Sequence, residues 1–169
     1  MRRTSRLFAL VFSLVLAMPT LASPIAQLDR VGGATLRVLF WTIYDSKLYT
    51  PSGRYQGIEP QLALEVDYHR NVSAARLLEQ TRAEWQKQGI YQPEHERWLD
   101  SLAAIWPDLR RGDVMVVRVD EQLASTFYLN GRLIGRLTDP VFTNNFLAIW
   151  LSENSSYPQL RKQLIGQSS

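Results

Sequence analysis

The chain has 169 residues, a formal net charge of +3 and no cysteine. This length suits one domain with a substantial core, and the lack of cysteine excludes a disulfide framework, a thiol nucleophile and a zinc–thiolate site. Three of the 19 basic residues and none of the 16 acidic residues lie in the first 22 positions. The rest of the chain is therefore balanced in charge, which argues against an electrostatic nucleic-acid binder.

The first 22 residues have the pattern of a secretory signal peptide. Three arginines precede an apolar run over residues 7–17, and this run is too short to span a membrane. The small residues at the end of the pattern predict cleavage after Ala22. We therefore expect residues 23–169 to form a single exported, periplasmic domain without a membrane span. A retained membrane anchor is the alternative interpretation of the same segment.

Strand-forming residues dominate the beginning of the expected domain. A strand is predicted over 25–31, and residues 34–49 predict either one long strand or a tight pair of strands. Arg37 lies inside this apolar stretch. Because a guanidinium keeps its charge and is costly to bury unpaired, Arg37 needs an internal carboxylate, water in a cleft or the anionic part of a ligand. The candidate carboxylates are Asp45, Asp67 and Glu94.

The middle of the sequence predicts one strand followed by two helices. Residues 62–70 alternate between apolar and polar, as in a half-exposed strand. Its apolar face consists of Leu62, Leu64, Val66 and Tyr68. The first helix begins after the N-cap Ser73 and stops at Gly89, and the second runs over 93–106.

The last third predicts three strands and two helices. Asn130-Gly131 is a strong hairpin signal between two apolar segments, and Asp139-Pro140 supplies the N-cap and first residue of a third helix. The strands are predicted over 113–120, 124–129 and 132–137, and the last helix over 158–165. Strands at both ends with helices between and after them indicate an α+β domain, in which helices pack on one side of an antiparallel sheet.

The two histidines and five tryptophans have ordinary structural explanations. His69 lies on the polar face of a strand and His95 at a helix start, so we expect both to be solvated. The tryptophans are expected mainly in the core. No two-histidine metal spacing and no nucleophile–histidine–acid set occurs in the sequence. We therefore predict no cofactor and no metal site.

Several short motifs occur in a fixed order between Val31 and Gly166. They are Gly33-x-x-x-Arg37, Ile43-Tyr44-Asp45-x-x-Leu48-Tyr49, Tyr68-x-Arg70, Glu84-Trp85, Ile105-Trp106-Pro107-x-x-x-x-Gly112-Asp113, Phe127-x-x-Asn130-Gly131, Asp139-Pro140-x-Phe142 and Pro158-x-Leu160-Arg161. This ordered set resembles the bacterial chalcone-isomerase-like proteins. The resemblance implies an open-faced β-sandwich, with a large antiparallel sheet, a layer of helices on one side and a cleft between them for an apolar ligand.

The same resemblance implies four candidate ligand-binding residues. Arg37 matches an arginine that contacts the anionic part of the ligand, and Tyr44 falls where catalytic members carry a hydroxyl residue on the neighbouring strand. On the helix that faces the cleft, Arg97 corresponds to a lysine. Glu94 and Ser101 replace the tyrosine and asparagine of the enzymes, so this helix departs from the catalytic pattern. From the residues alone, Arg97 and Ser101 are expected to be exposed, and Tyr44 to pack in the core.

The leading hypothesis is a non-catalytic binding protein for a small apolar ligand with an anionic or phenolic end, such as a fatty acid. Arg37 would hold the polar end. One alternative is an intramolecular lyase or isomerase of chalcone isomerase type, with Arg37 and Tyr44 as electrostatic groups. Another is an accessory protein that docks a periplasmic partner and has a collapsed cleft. A cavity of about 300 Å³ or more that reaches Arg37 distinguishes the first two from the third.

Overall fold

Six antiparallel strands form one sheet in the computed structural model, which describes residues 23–167. The strands are β1 (Asp29–Val38), β2 (Trp41–Thr50), β3 (Ala63–Tyr68), β4 (Val114–Val119), β5 (Ser125–Leu129) and β6 (Arg132–Leu137). Their order in the sheet is their order in the chain. This arrangement confirms the predicted antiparallel sheet and the α+β class. The predicted signal peptide lies outside the described residues.

The first two strands are a tight pair rather than one long strand. Val38 pairs with Trp41 across a two-residue turn. The strand predicted over 25–31 is wrong in its beginning, because residues 24–27 form turns and β1 starts at Asp29. The amide of Ala26 donates to the carbonyl of Ser23 at 2.9 Å, and this local hydrogen bond takes the place of a strand partner.

Four α-helices lie within residues 23–167, close to the predicted positions. They are α1 (Ala74–Lys87), α2 (Glu96–Ile105), α3 (Pro140–Leu151) and α4 (Pro158–Leu164), and a short 3-10 helix (Pro93–His95) leads into α2. Ser73 caps α1 by accepting from the amide of Arg76, and Asp139 caps α3 by accepting from the amide of Val141. Both predicted N-caps are confirmed, because a side-chain oxygen satisfies an amide that has no partner within the helix.

The helices pack against one face of the sheet and leave its other face polar. Alternation along β3 buries Leu64 and Val66 on the inner face, whereas Glu65 on the outer face binds Lys47 at 2.7 Å. At the sheet edge, α4 approaches β1 so closely that a Cβ atom on Gly32 would lie 2.6 Å from the carbonyl oxygen of Leu164. Glycine is therefore required at this contact.

The tryptophans divide between the core and the surface. Trp85, Trp98 and Trp106 are buried, and the indole nitrogen of Trp85 donates to the carbonyl of Asn145 at 2.8 Å, which joins α1 to α3. Trp41 is more than half exposed at the β1–β2 turn. Within the described part of the chain, no helix is both long enough and apolar enough to cross a membrane.

Candidate functional site

A cavity of about 700 Å³ separates the sheet from α1 and α3. Its floor is the apolar inner face of the sheet, and α3 closes one side. The apolar lining includes Leu36, Leu64, Val66, Val117, Phe146 and Ile149. Pockets that bind small molecules have volumes of roughly 300–1,000 Å³ and mainly apolar linings. This space therefore has the size and the chemistry of a ligand site, which we call the sheet–helix cavity.

Helix α1 presents polar side chains to this cavity, which explains why the two layers do not close on each other. Gln80, Thr81 and Glu84 line the cavity from successive turns of the helix. Thr81 donates its hydroxyl to the carbonyl of Leu77 at 2.8 Å. Because polar side chains gain little from contact with an apolar sheet, α1 stands over the sheet without filling the space beneath it.

Two tyrosines lie side by side on the cavity floor. Tyr44 on β2 pairs in register with Tyr68 on β3, and their ring centroids are 6.0 Å apart. The hydroxyl of Tyr44 accepts a hydrogen bond from the indole nitrogen of Trp150 at 3.0 Å. The hydroxyl of Tyr68 makes no hydrogen bond with any residue between 23 and 167.

The two tyrosine hydroxyls act only as neutral groups at ordinary pH. Burial raises the pKa of Tyr44 and of Tyr68 far above the usual range, because a phenolate would lose its hydration. Both groups therefore keep their protons. Neither O–H has an acceptor among the described residues, so both can donate to an oxygen of a ligand.

Two further residues of the cavity lining carry buried polar groups. The indole nitrogen of Trp106 is buried and has no hydrogen-bond partner in the described structure. The buried carboxylate of Glu84, by contrast, accepts from Lys87 at 2.9 Å and from Ser156 at 2.5 Å. The acid is therefore satisfied. The Trp106 nitrogen has almost no accessible surface, so the donors that can reach a ligand are the hydroxyls of Tyr44 and Tyr68.

The cavity opens to solvent near the beginning of α1. Exposed residues that line it there are Val38, Arg70, Asn71 and Arg76, which we call the cavity mouth. The guanidinium of Arg70 lies 4.2 Å from the ring centroid of Trp41. Arg76 is paired with Glu79 at 2.7 Å. Arg70 therefore keeps an unpaired positive charge, among the described residues, where a ligand would enter.

Arg37 does not lie in the sheet–helix cavity. Leu36 points inward on β1, so its neighbour Arg37 points outward, where it is exposed in a polar groove shared with Asp45 and Asp67. The expectation of a ligand-bound Arg37 rested on the apolar residues around it and on the family resemblance, but the side chain is exposed, so water hydrates it and it needs no buried partner. Its role in ligand binding therefore has no support from its position.

The alternative for Arg37, an ion pair with an internal carboxylate, is also not formed among the described residues. Asp45 is held instead by Thr35, whose hydroxyl donates at 2.5 Å, and by His69, whose Nε2 lies 2.8 Å from the carboxylate. These hydrogen bonds lower the pKa of Asp45, with the Thr35 contact as the largest cause. Asp45 thus satisfies its oxygens without Arg37.

Arg97 and Ser101 lie on the exposed side of α2, outside the cavity. The hydroxyl of Ser101 donates to the carbonyl of Arg97 at 2.9 Å, and the Arg97 guanidinium is 3.8 Å from Asp139. Of the four predicted ligand-binding residues, the structure therefore brings only Tyr44 to the cavity. Tyr68, Trp106 and Arg70 were not predicted.

Of the three cavity residues that were not predicted, Tyr68 could have been found from the sequence pattern. Tyr68 ends the alternating apolar face of β3, so its inward direction follows from the same pattern that places Leu64 and Val66. A hydroxyl at the end of a buried face indicates a polar point in an apolar site. The positions of Trp106 and Arg70 depend on contacts between distant segments and have no such signal.

His95 is buried, which corrects the expectation that it is solvated. Its ring stacks on Trp98 with centroids 4.2 Å apart, and its Nδ1 accepts from the amide of Gln92 at 3.2 Å. Burial is the main cause of the lowered pKa of this imidazole. The side chain therefore belongs to the packing between the 3-10 helix, α1 and α2.

Comparison with known proteins agrees with the resemblance found in the sequence. Residues 27–166 match the model of a family described as chalcone isomerase-like. An uncharacterized protein of Haemophilus influenzae is 26% identical over 159 residues, which cover 92% of this chain and 78% of that protein. The crystal structure of a fatty-acid binding protein of Arabidopsis thaliana has a TM-score of 0.64 and 9% sequence identity, with 83% of this chain and 88% of that chain covered. At this identity the likeness shows the fold alone.

Proposed function

Because the chain belongs to the chalcone isomerase-like family, we propose that it is a non-catalytic binding protein for one small apolar ligand. The observation that carries this proposal is the sheet–helix cavity of about 700 Å³ with its apolar floor. An apolar ligand in this space would remove its own surface and that of the floor from water, at a gain of about 25 cal/mol per Å².

The free donors in the cavity indicate the chemistry of the polar end of the ligand. The hydroxyls of Tyr44 and Tyr68 can each donate but have no acceptor among the described residues. A carboxylate, a phenol or a carbonyl would supply that acceptor. We assign the polar end to this group of donors rather than to Arg37.

A fatty-acid-like ligand fits these features best. The cavity mouth carries Arg70, which makes no ion pair with a described residue and favours an anionic ligand over a neutral one. The similar structure from Arabidopsis thaliana is that of a fatty-acid binding protein, which supports the same ligand class here. A phenolic ligand of similar length remains the second member of the proposed class.

The two alternative functions have less support. An isomerase that uses Arg37 and Tyr44 together requires both groups at one site, but they lie on opposite faces of the sheet. An accessory protein with a collapsed cleft requires a filled core, but the space between the layers is open.

Titration of purified, delipidated protein with a fluorescent long-chain fatty acid tests the proposal. We expect saturable binding with one site per chain. Val66→Trp places an indole inside the cavity and should abolish binding. Val141→Trp is the matched control, because Val141 is more than half exposed and does not line the cavity. No uptake of fatty acids or phenols, or equal binding by Val66→Trp, would contradict the proposal.

Export to the periplasm is a second part of the proposal. Its support is the arginine-containing start, the apolar run over 7–17 and the small residues before position 23. The mass of the protein recovered from its own cells tests this part. A mature chain that begins at Ser23 supports it, and an intact chain that begins at Met1 contradicts it.

A further inference from the structure

The turn between β1 and β2 projects four consecutive apolar side chains away from the protein. We call Val38, Leu39, Phe40 and Trp41 the hairpin tip. Their exposed fractions are 44%, 86%, 98% and 58%. Leu39 and Phe40 therefore pack against almost nothing in the described structure. Contiguous exposed apolar surface of this kind is typical of a contact with another molecule or a membrane.

The hairpin tip is not explained by the needs of the turn itself. The β5–β6 turn of the same protein uses Asn130 and Gly131, both with positive φ, of 50° and 79°. These residue types adopt such backbone angles readily. Leu39 has a φ of 54°, which is strained for a branched, bulky residue. The protein therefore carries an apolar residue at this position at the expense of local stability.

Arginines surround the base of the hairpin tip. The guanidinium of Arg70 lies over the ring of Trp41, and Arg37 is exposed on the neighbouring strand. Neither makes an ion pair with a described residue. Leu39 and Phe40 form the end of the turn, and Trp41 and the two arginines follow them. This order matches a bilayer surface, where apolar side chains enter the lipid, aromatic rings lie at the headgroups and arginines meet lipid phosphates.

We propose that the hairpin tip inserts into the surface of a lipid bilayer with anionic headgroups. A second protein or a second copy of this chain fits less well. The four side chains expose roughly 500 Å² on a narrow turn, whereas a standard interface buries about 800 Å² on each partner. A bilayer accepts a narrow apolar projection without a complementary surface.

The position of the hairpin tip connects this contact to the cavity. Val38 belongs to the hairpin tip and Arg70 contacts its Trp41, and both residues also belong to the cavity mouth. Insertion of the tip would therefore bring the mouth to the membrane surface, so an apolar ligand could pass between bilayer and cavity with little exposure to water. This exchange rests on the proposed ligand-binding function, whereas the membrane contact itself does not.

Flotation with lipid vesicles tests the membrane contact. Ligand-free protein is mixed with vesicles of phosphatidylglycerol and phosphatidylethanolamine, and in parallel with vesicles of phosphatidylcholine alone. We expect binding to the anionic vesicles and weaker binding to phosphatidylcholine. About 0.5 M salt should weaken the binding to anionic vesicles without abolishing it, because salt screens the arginines but not the apolar contact. The double variant Leu39→Asn, Phe40→Gly copies the other turn of this protein and should bind the anionic vesicles at least about tenfold more weakly.

The controls separate loss of contact from loss of fold. The double variant should keep its far-UV spectrum and keep or raise its thermal midpoint, because the replaced side chains pack against almost nothing and Asn is less strained than Leu at the positive φ of position 39. Leu133→Asn changes another exposed leucine, on β6, and should bind vesicles as the wild type does. Equal vesicle binding by the double variant, or a tip-dependent dimer in sedimentation without vesicle binding, would overturn the proposal. Fatty-acid titration without vesicles reports the ligand-binding function separately.

Discussion

Trp150 donates its indole N–H to the hydroxyl of Tyr44 at 3.0 Å. This hydrogen bond between residues that are 106 positions apart in the chain joins α3 to β2 at the wall of the sheet–helix cavity. It also fixes the role of the tyrosine. Because the phenolic oxygen accepts from Trp150, the hydroxyl proton is directed to another partner, and no described residue supplies one.

Tyr44→Phe should lower stability by a modest amount. The change removes the acceptor of the Trp150 indole, and a hydrogen bond of this kind contributes about 0.5–1.5 kcal/mol to the free energy of unfolding. Denaturant unfolding of the wild type and of Tyr44→Phe measures the difference. Trp150→Phe removes the donor instead and leaves the tyrosine hydroxyl inside the cavity. The double variant should cost less than the sum of the single variants. Full additivity would show that the two side chains do not stabilise each other.

Tyr68→Phe, unlike Tyr44→Phe, should keep the stability of the protein and lower its affinity for the ligand. Its hydroxyl has no hydrogen-bond partner among the described residues, so its removal leaves no group unsatisfied and should keep or raise the free energy of unfolding. The affinity for a fatty acid should fall by at least about tenfold, since a hydrogen bond to a charged group contributes roughly 1.5–3 kcal/mol. Unfolding and fluorescent fatty-acid titration of the same preparation measure both quantities. Lower stability with unchanged affinity would contradict this assignment.

Arg37→Ala should leave the fatty-acid affinity within about twofold of the wild type in a titration without vesicles. Arg37 is exposed on the outer face of the sheet and does not line the cavity, and exposed charges at a distance are screened by salt. This variant distinguishes two assignments for the polar end of the ligand: the tyrosine hydroxyls of the cavity, which the structure favours, and Arg37, which the family resemblance implies. A large loss of affinity would restore Arg37 as a ligand-binding residue and would contradict the assignment to Tyr44 and Tyr68.

The secondary structure was predictable because local patterns determine most of it. Alternation in β3, the Asn130-Gly131 turn and the N-caps Ser73 and Asp139 each depend on neighbours within a few residues. The beginning of β1 was predicted wrongly because residues 25–28 are compatible with a strand, but their amides bond locally. Such a competition between local and sheet hydrogen bonds has no clear pattern in the sequence.

The site was less predictable because it depends on which face of each strand meets the helices. The apolar residues around Arg37 suggested burial, but alternation along β1 places Leu36 inward and Arg37 outward. Several of the surrounding apolar residues are exposed at the hairpin tip instead. An apolar run in a strand therefore predicts buried side chains only for the residues that lie over the helices, and not for those at the turn.

Mild acid should destabilise the folded protein through His95. Burial lowers the pKa of its imidazole, and its Nδ1 accepts a hydrogen bond from the amide of Gln92 that protonation would remove. The unfolded state therefore binds a proton more readily than the folded state. The contribution of His95 to the free energy of unfolding is complete at neutral pH and falls as the pH drops below the ordinary histidine pKa of about 6.5.

His95→Asn should reduce this dependence between pH 7.0 and 5.5. The asparagine can retain an acceptor near Gln92 but does not titrate, and carboxylates stay ionised in this window in both states. Thermal unfolding at the two pH values measures the shift in each protein. His69 is present in both proteins, so the comparison isolates His95. An equal shift in the wild type and the variant would contradict a role of His95 in this pH response.

Gly32→Ala should be strongly destabilising because backbone atoms of α4 occupy the space that a Cβ atom would need. A Cβ atom there would meet the carbonyl oxygens of Gln163 and Leu164 on α4, which cannot rotate away as a side chain can. We expect a loss of more than about 2 kcal/mol in the free energy of unfolding, or a displaced α4. Gly33→Ala is the matched control on the same strand. Its new methyl group would mainly meet the mobile end of the Arg30 side chain, so its cost should be clearly smaller. Equal costs would mean that α4 does not hold β1 through this contact.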